Sequence, residues 1–275
     1  MTHPHDPTIP PPHRPAASTA RLYAAYQGGG EERAAYDIDR DIAARVAELG
    51  LKPTVIARQN RLFHNRAVTF AAAELGISQF LDIGCGLPSD SGIHTHTLAE
   101  AHHPDTSQVL YVDRDPMVRA PAEALMRGSR DGSTRVLEAD VRDPDRILDQ
   151  AREFLDFQQP VALLLIAVVH FLADSDEPHA TVRYLTDALP PGSALVFSHV
   201  TDAFAPDIMR AAEDLLRGEK VLARTRSHES ISRFFDGLTP VEPGLVPVHR
   251  WHQSDAETLG IPDSDVHTYA GIALT

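Results

Sequence analysis

The sequence predicts an α/β protein built on a doubly wound, mostly parallel sheet. Apolar strands alternate with helices of roughly ten residues over the middle of the chain, and this alternation covers both faces of a parallel sheet. The first of these strands, within QFLDIGCGLPSD, ends in Gly84-Cys85-Gly86. A buried strand that ends at a Gly-x-Gly turn leaves room for a nucleotide at the edge of the sheet.

The elements of this sheet follow from the apolar runs and their flanking residues. Strands are expected at 80–83, 109–113, 134–138, 161–168 and 194–198. Helices are expected near 92–101, 116–127, 144–154, 178–188 and 206–216, several of them beginning at or beside a proline, which suits a first helical turn. Residues 244–249 and 267–274 break this rhythm and predict two further strands in a hairpin-like end. The predicted sheet is therefore mixed and has seven strands.

The N-terminal quarter predicts a tail and a helical cap. Residues 1–17 are rich in proline and histidine and are expected to form a flexible tail. Residues 18–76 predict three amphipathic helices that cap one end of the sheet, and residues 77–275 predict the ligand-binding domain. The run Gly28-Gly29-Gly30 ends the first helix and is either a flexible joint or a backbone lid over a ligand.

Composition excludes several classes of function. The chain has 275 residues and a formal net charge of −14, and no Lys/Arg cluster stands out, so nucleic acid is not expected as a partner. The single cysteine, Cys85, excludes an internal disulfide, and its place in the glycine turn suits a small side chain better than a nucleophile. No apolar run has the length of a membrane span, and the N-terminus has no signal-peptide pattern, so we expect a cytoplasmic protein.

Carboxylates at three strand ends predict the ligand. Asp113 ends the second strand, where a carboxylate accepts hydrogen bonds from ribose hydroxyls, while Asp115 serves the following helix as its cap. Asp140 and the backbone of Val141 follow the third strand and suit the amine and a ring nitrogen of adenine. Asp82 precedes the glycines and suits an ammonium group.

Two histidines follow the next strands and are candidate catalytic bases. His170 lies at or just past the end of the fourth strand, and His199 closes the fifth after Ser198. A histidine after a core strand also serves a purely structural role, and this alternative stays open for both. Paired histidines occur at His94 and His96, but these point to different helix faces, and no metal site is predicted.

The glycine turn distinguishes two cofactors. A nicotinamide site requires a third glycine and an acid about 20 residues further on. Here Ser89 occupies the third position, and Asp113 lies further away than that rule expects. A ligand with an amino-acid end and a nucleoside end fits better, and this ligand is S-adenosylmethionine.

The segments LDIGCG, YVDRDP, EADVRDP and IAVVHFL, over residues 79–200, resemble the ordered motifs of class I S-adenosylmethionine-dependent methyltransferases. ARLYAAYQGGG, NRLFHNRAV and SHVT extend the resemblance, over nearly the whole chain, to an actinobacterial methyltransferase-like family formerly called a domain of unknown function. The sequence departs from these patterns at Gly30, where lysine is usual, and at Pro88, where glycine is frequent.

The resemblance implies a class I, Rossmann-like methyltransferase fold and a set of cofactor contacts. The implied contacts lie in the N-terminal signature, in the third cap helix and at the strand ends, at Tyr26, Gly28, Gly29, Arg61, Asp82, Gly84, Gly86, Asp113, Arg114, Asp140, Val141 and Ala167.

The sequence thus predicts a methyltransferase that acts on a small molecule, with secondary metabolism as one interpretation of its context. Two alternatives stay open: a sensor or assembly protein that binds S-adenosylmethionine without catalysis, and an NAD(P)-dependent oxidoreductase. The acceptor, the methylated atom and the oligomeric state do not follow from the sequence.

Overall fold

A computed structural model describes residues 16–28, 35–89, 91–253 and 259–275. At its centre is a mixed sheet with the strand order β3-β2-β1-β4-β5-β8-β6, and β7 pairs with β8. The strands are β1 Gln79–Ile83, β2 Gln108–Asp113, β3 Thr134–Glu138, β4 Val161–Ile166, β5 Ala194–Val200, β6 Thr239–Pro240, β7 Val246–Pro247 and β8 Thr268–Leu274.

The predicted fold class is confirmed. Strands β1 to β5 pair in parallel, and β8 runs antiparallel to β5 from Ala194↔Leu274 to Val200↔Thr268. The sheet has eight strands where seven were predicted, because the segment before β8 forms two separate strands of two residues. Each of these ends in a proline, Pro240 or Pro247, and a proline cannot donate to a sheet ladder.

Helices flank the sheet, and the longest described helix lies before it in the chain. They are α1 Thr19–Gln27, α2 Asp37–Glu48, α3 Pro53–Ala73, α4 Thr95–Glu100, α5 Pro116–Leu125, α6 Pro144–Phe154, α7 Pro178–Asp187, α8 Pro206–Gly218 and α9 His228–Ser232. Side chains at two N-caps, Asp115 for α5 and Asp143 for α6, accept backbone N–H groups of the first turn. Among the described residues, no helix is both long and apolar enough to cross a membrane.

The two faces of the sheet carry two separate apolar layers. Val196 of β5 packs in the layer that includes Phe63 of α3 and the buried Trp251, whose rings meet edge to face at 5.4 Å. Leu195 and Phe197 pack in the opposite layer. Because successive side chains of a strand point to opposite faces, each residue at the end of β5 belongs to only one of these layers.

The helices before the sheet pack in two ways. Helix α3 contributes Phe63, Ala67 and Val68 to the first sheet layer. Helices α1 and α2 instead form a third apolar cluster with α8. Most of the proline- and histidine-rich tail, residues 1–15, lies outside the described residues. The boundaries drawn after residues 17 and 76 stay predictions.

Candidate cofactor site

The carboxyl ends of β1 to β4 open onto a cavity of about 240 Å³. One side, called here the strand-tip wall, consists of the turns after these strands, at residues 82–88, 113–114, 139–142, 166–168 and 171–172. The other side, the helical wall, consists of side chains from α1, α3 and the start of α4, among them Tyr23, Asn60, Arg61, His64 and Thr95. Ligands of parallel α/β sheets bind at this edge.

The glycine turn after β1 fits tightly against the turn after β4. Gly84 has a φ of 75°, and a Cβ atom built on it would lie 2.2 Å from Cγ2 of Val168. The backbone N–H groups of Gly84 and Cys85 both donate to the carbonyl of Val112, at 2.7 and 3.1 Å. Glycine is required here for its conformation and for its lack of a side chain, and the two turns therefore determine each other's position.

Asp113 is held by the turns on either side of it. Its Oδ2 accepts the backbone N–H of Gly86 at 2.9 Å, and its Oδ1 accepts that of Asp115 at 2.9 Å. Burial raises the pKa of Asp113, although both of these hydrogen bonds oppose the rise. Asp115 caps α5 through Met117, as the sequence predicted. A carboxylate has about four acceptor positions, so Asp113 can still receive ribose hydroxyls.

Asp82 lies at the bottom of the cavity in a chain of polar groups. The Thr95 hydroxyl donates to its Oδ2 at 2.6 Å, and Nε2 of His64 lies 2.9 Å from the same hydroxyl. Burial raises the pKa of Asp82 to about 6, against the opposing effects of Thr95 and of the Arg61 charge. Burial lowers the pKa of His64 to about 3, so this imidazole is neutral at physiological pH.

Arg61 brings a positive charge to the helical wall. Its Nε atom is buried and has no hydrogen-bond partner among the described residues. A buried donor without a partner costs about 1–3 kcal/mol, and more when the group is charged. A carboxylate of a ligand would satisfy it, because guanidinium–carboxylate pairs form strong charge-assisted hydrogen bonds.

Two arginines hold the carboxylate after β3. Arg142 Nη1 lies 2.8 Å from Oδ2 of Asp140, and Arg114 Nη1 lies 3.7 Å from the same oxygen. Arg142 also donates through Nη2 to the carbonyl of Phe171 at 3.0 Å. This arrangement joins the turns after β2, β3 and β4 around one end of the cavity.

Two contacts hold α1 over this cavity. Ser18, the N-cap of α1, donates to Asp115 beyond β2. Arg21 forms a buried ion pair with Asp39 of α2, with 2.7 Å between Nε and Oδ2. A buried ion pair of this kind fixes geometry more than it adds stability. Helix α1 therefore has a defined position as part of the helical wall.

Comparisons with known proteins agree with this geometry. A family model described as S-adenosyl methyltransferase matches residues 13–275. The chain belongs to this S-adenosyl methyltransferase family. Among curated proteins, none matches the sequence.

Two crystal structures from actinobacteria are similar to this family member over almost its whole length. A DUF574 family protein from Streptomyces avermitilis is 38% identical, with 94% of this chain and 98% of that one covered and a TM-score of 0.88. A candidate methyltransferase from Thermobifida fusca is 34% identical, with 94% and 95% covered and a TM-score of 0.82. An O-methyltransferase family protein from Burkholderia thailandensis, 12% identical, with 81% and 59% covered and a TM-score of 0.50, shares the fold alone.

The cofactor of this methyltransferase family is S-adenosylmethionine, as the sequence predicted. The described residues fit that molecule. The unpartnered Nε of Arg61 suits a carboxylate, the glycine turn admits close approach of a ligand, and Asp113 retains acceptor positions for hydroxyl groups. The family assignment gives no support to the alternative of a nicotinamide cofactor.

Most of the predicted contact residues come together at the cavity. The lining includes residues of α3, of the glycine turn and of the three following strand ends, namely Arg61, Asp82, Gly84, Gly86, Asp113, Arg114, Asp140, Val141 and Ala167. Their binding role stays a prediction, but their proximity is a feature of the structure.

The prediction from the N-terminal signature differs from the structure. Tyr23, with Thr19, Ala20, Ala24 and Gln27, lines the cavity, whereas Tyr26 does not. Tyr26 packs with Leu22 in the cluster between α1, α2 and α8, and burial raises its pKa. Residues four apart share a helix face, so Tyr26 follows Leu22, and Tyr23 follows Thr19.

The glycine run is only partly described. Gly28 caps the C-terminus of α1 with a φ of 68° and does not line the cavity. Gly29 and Gly30 lie outside the described residues. Whether this run is a joint or a lid stays a prediction.

Both predicted catalytic histidines lie away from the cavity lining. His199 stacks on Phe197, with 6.1 Å between ring centroids, in the layer on the opposite face of the sheet. Its Nε2 lies 2.8 Å from Arg226 Nη1, and its Nδ1 lies 2.6 Å from the carbonyl of Val200. His170 is its neighbour, with ring centroids 5.7 Å apart. These contacts fit a structural role for both histidines better than a catalytic role beside the methyl donor.

Several side chains that line the cavity were not predicted. Asn60 and His64 lie four residues apart on the same face of α3, within the segment NRLFHNRAV. Thr95 and Arg142 complete the contacts of Asp82 and Asp140. The i, i+4 spacing of Asn60 and His64 was a usable signal, because both are polar residues on the buried side of an otherwise apolar helix face.

Proposed function

We propose that this protein transfers the methyl group of S-adenosylmethionine to a small-molecule acceptor in the cytoplasm. The observation that carries the proposal is the row of acidic and backbone groups along the strand-tip wall, from Asp82 through the glycine turn to Asp113 and Asp140. In the proposal, this order corresponds to the donor from its amino-acid end to its adenine. A role in secondary metabolism is part of the proposal.

Each end of the donor has a group suited to it. In this proposal, Arg61 and Asp82 bind the carboxylate and the ammonium of the methionine part. Gly84 and Gly86 approach it through backbone atoms, and Asp113 accepts hydrogen bonds from the ribose. Asp140, Val141 and Arg114 surround the adenine. The raised pKa of Asp82, about 6, is compatible with this role, because an ammonium beside the carboxylate would favour its charged form.

The chemistry of the donor requires little from the protein beyond position. When bound, S-adenosylmethionine supplies a methyl group on a positively charged sulfur. The protein's residues hold the donor and the acceptor in line and keep water out. Tyr23 and the neutral His64 offer polar but uncharged groups on the helical wall, which we assign to the acceptor side.

The decisive experiment is calorimetric titration of the wild-type protein and of Asp113→Ala with S-adenosylmethionine and S-adenosylhomocysteine. We expect micromolar binding of both ligands. The variant should bind at least about 100-fold more weakly, since two hydrogen bonds to a charged acceptor are lost. Asp131→Ala is the matched control, because Asp131 is an exposed carboxylate outside the cavity.

The outcomes separate the alternatives. Failure of the wild-type protein to bind either sulfur ligand would contradict the proposal, and binding of NADH instead would favour an oxidoreductase. Tight binding of S-adenosylmethionine with no transfer to a broad panel of small hydroxyl and amine acceptors would favour the non-catalytic sensor or assembly protein.

A further inference from the structure

The turn after β4 contains a strained residue. Ala167 lines the cavity and has a φ of 56°, in the left-handed region. A side chain with a Cβ atom is disfavoured there, so neighbouring groups must hold the conformation. The same turn includes Val168, the residue in contact with Gly84.

Ser198 of β5 supplies the groups that hold this turn. The backbone N–H of Ala167 lies 3.0 Å from the Ser198 hydroxyl and 3.3 Å from its carbonyl oxygen. Ser198 is fully buried. Because its Oγ accepts from Ala167, its own hydrogen is free to donate, and it does so to Oδ1 of Asn60 at 2.6 Å.

The hydrogen-bond chain continues into the helical wall. Nδ2 of Asn60 donates to the hydroxyl of Tyr23 at 3.1 Å, and that hydroxyl donates to the carbonyl of Ala57 at 3.2 Å. Asn60 is only 3% exposed. Each hydroxyl in the chain accepts one hydrogen bond and donates one, so the direction of every bond from Ala167 to Ala57 is determined.

This chain connects parts of the cavity that are distant in sequence. It ties the turn after β4 to α3 and α1, and Val168 transmits the position of that turn to the glycine turn after β1. A shift at Ser198 would therefore move backbone at two places on the strand-tip wall.

We propose that Ser198 and Asn60 are positioning residues for the methyl donor. They hold Ala167 and Val168 in the conformation that shapes the donor cavity, without contact to the reacting atoms. The inference rests on the proposed function, since it assigns a role in donor binding. It also gives a function to the serine of the SHVT segment.

The test compares two buried serines of the same region. Ser198→Ala removes the hydroxyl that holds Ala167. Ser193→Ala removes an equally buried hydroxyl that accepts the backbone N–H of Val161 at 3.0 Å, at the opposite end of β4. Both variants lose one hydrogen bond to a backbone N–H of β4 or its turn, and Ser198→Ala also loses the bond to Asn60, so both thermal stabilities should fall and that of Ser198→Ala should fall further.

The expected difference lies in affinity. Titration with S-adenosylhomocysteine should show about tenfold weaker binding for Ser198→Ala and unchanged binding for Ser193→Ala. Asn60→Ala should lose about as much affinity for S-adenosylhomocysteine as Ser198→Ala. Equal affinities for wild-type protein and Ser198→Ala, or an equal loss in both serine variants, would overturn the proposal.

A double-mutant cycle tests the mechanism. Glycine adopts a positive φ without strain, so Ser198→Ala should cost clearly less affinity in an Ala167→Gly background than in the wild-type protein. The same loss in both backgrounds would show that Ser198 does not act through Ala167. If the wild-type protein binds neither sulfur ligand, the proposed function is wrong and this inference is overturned with it, whereas loss of the inference alone leaves wild-type binding intact.

Discussion

The two walls of the cavity are built on different principles. The strand-tip wall presents backbone groups and carboxylates that neighbouring turns hold in place, as Gly86 and Asp115 hold Asp113. The helical wall presents side chains from α1 and α3, and among these Arg61 has a buried Nε with no partner among the described residues. Almost any substitution in the strand-tip wall should therefore abolish ligand binding. Substitutions in the helical wall should weaken binding by an amount that depends on the side chain introduced.

A second contrast lies within β5, between two adjacent residues. The Ser198 hydroxyl reaches Asn60 and the turn at Ala167, whereas His199 contacts Arg226 on the opposite face. Residue type alone favours the histidine as the chemical group. The alternation of the strand instead directs the serine toward α3 and the turn after β4.

The largest effect should come from Gly84→Ala on the strand-tip wall. The new Cβ would collide with Val168, and alanine is also strained at this φ, so the two interlocked turns must separate. We expect S-adenosylhomocysteine to bind roughly 100-fold more weakly, or below detection, in calorimetry.

The control for this variant is another glycine with positive φ. Gly132 has a φ of 77° and no atom within 4 Å of an added Cβ. Gly132→Ala should lose stability but keep its affinity, and Val168→Ala should restore part of the binding lost in Gly84→Ala. Wild-type affinity for Gly84→Ala would show that the strand-tip wall is more adaptable than its contacts indicate.

A smaller effect is expected from Arg61→Gln on the helical wall. Loss of one charge-assisted hydrogen bond to the ligand carboxylate should weaken binding of S-adenosylhomocysteine by about 10- to 100-fold. The affinity of Arg61→Lys for S-adenosylhomocysteine should lie between those of Arg61→Gln and the wild-type protein. Arg58→Gln, at an exposed position one turn earlier on α3, is the charge-matched control. If both glutamine variants weaken binding equally, the effect is one of overall charge and not of this contact.

The smallest effect on binding is expected from His170→Leu, behind the strand-tip wall. At neutral pH its affinity for S-adenosylhomocysteine should equal that of the wild-type protein. Burial, with the Arg226 charge, lowers the pKa of His170 from its ordinary value of 6.5 to about 3, so the unfolded chain takes up this proton at a higher pH than the folded protein. The stability that the folded protein gains from its neutral, buried His170 is fully present above pH 6.5. As the pH falls from 6.5 toward 3, this residue lowers the free energy of unfolding by about 1.4 kcal/mol per pH unit.

Unfolding by urea between neutral pH and pH 4 measures this slope. His170→Leu should reduce the loss of stability on acidification, and the exposed His102→Gln should not. A large drop in the affinity or turnover of His170→Leu at every pH would restore His170 as a catalytic candidate. His199 is also fully buried, and its pKa is lowered well below its ordinary value, so the same slope should include a contribution from it.

The sequence determined what depends on local patterns. Alternating apolar strands and proline-led helices predicted the sheet, and the Gly84-Cys85-Gly86 turn with the acids after β2 and β3 predicted one wall of the cavity. These residues can be recognised from the sequence because each lies in the turn directly after its strand, at the edge of the sheet where ligands bind. The exact strand count was not accessible, since β6, which was not predicted, has only two residues and pairs only with β8.

The tertiary structure decided the other wall. Which of Tyr23 and Tyr26 meets the cavity depends on how α1 rotates against α2 and α8. Asn60 acquires a role only because α3 lies beside the end of β5, 138 residues away from it in the sequence. The sequence by itself determined the cofactor class and the residues at the strand tips, whereas only packing decided which face of β5 lies against α3, and it places the Ser198 hydroxyl beside Asn60 and His199 beside Arg226.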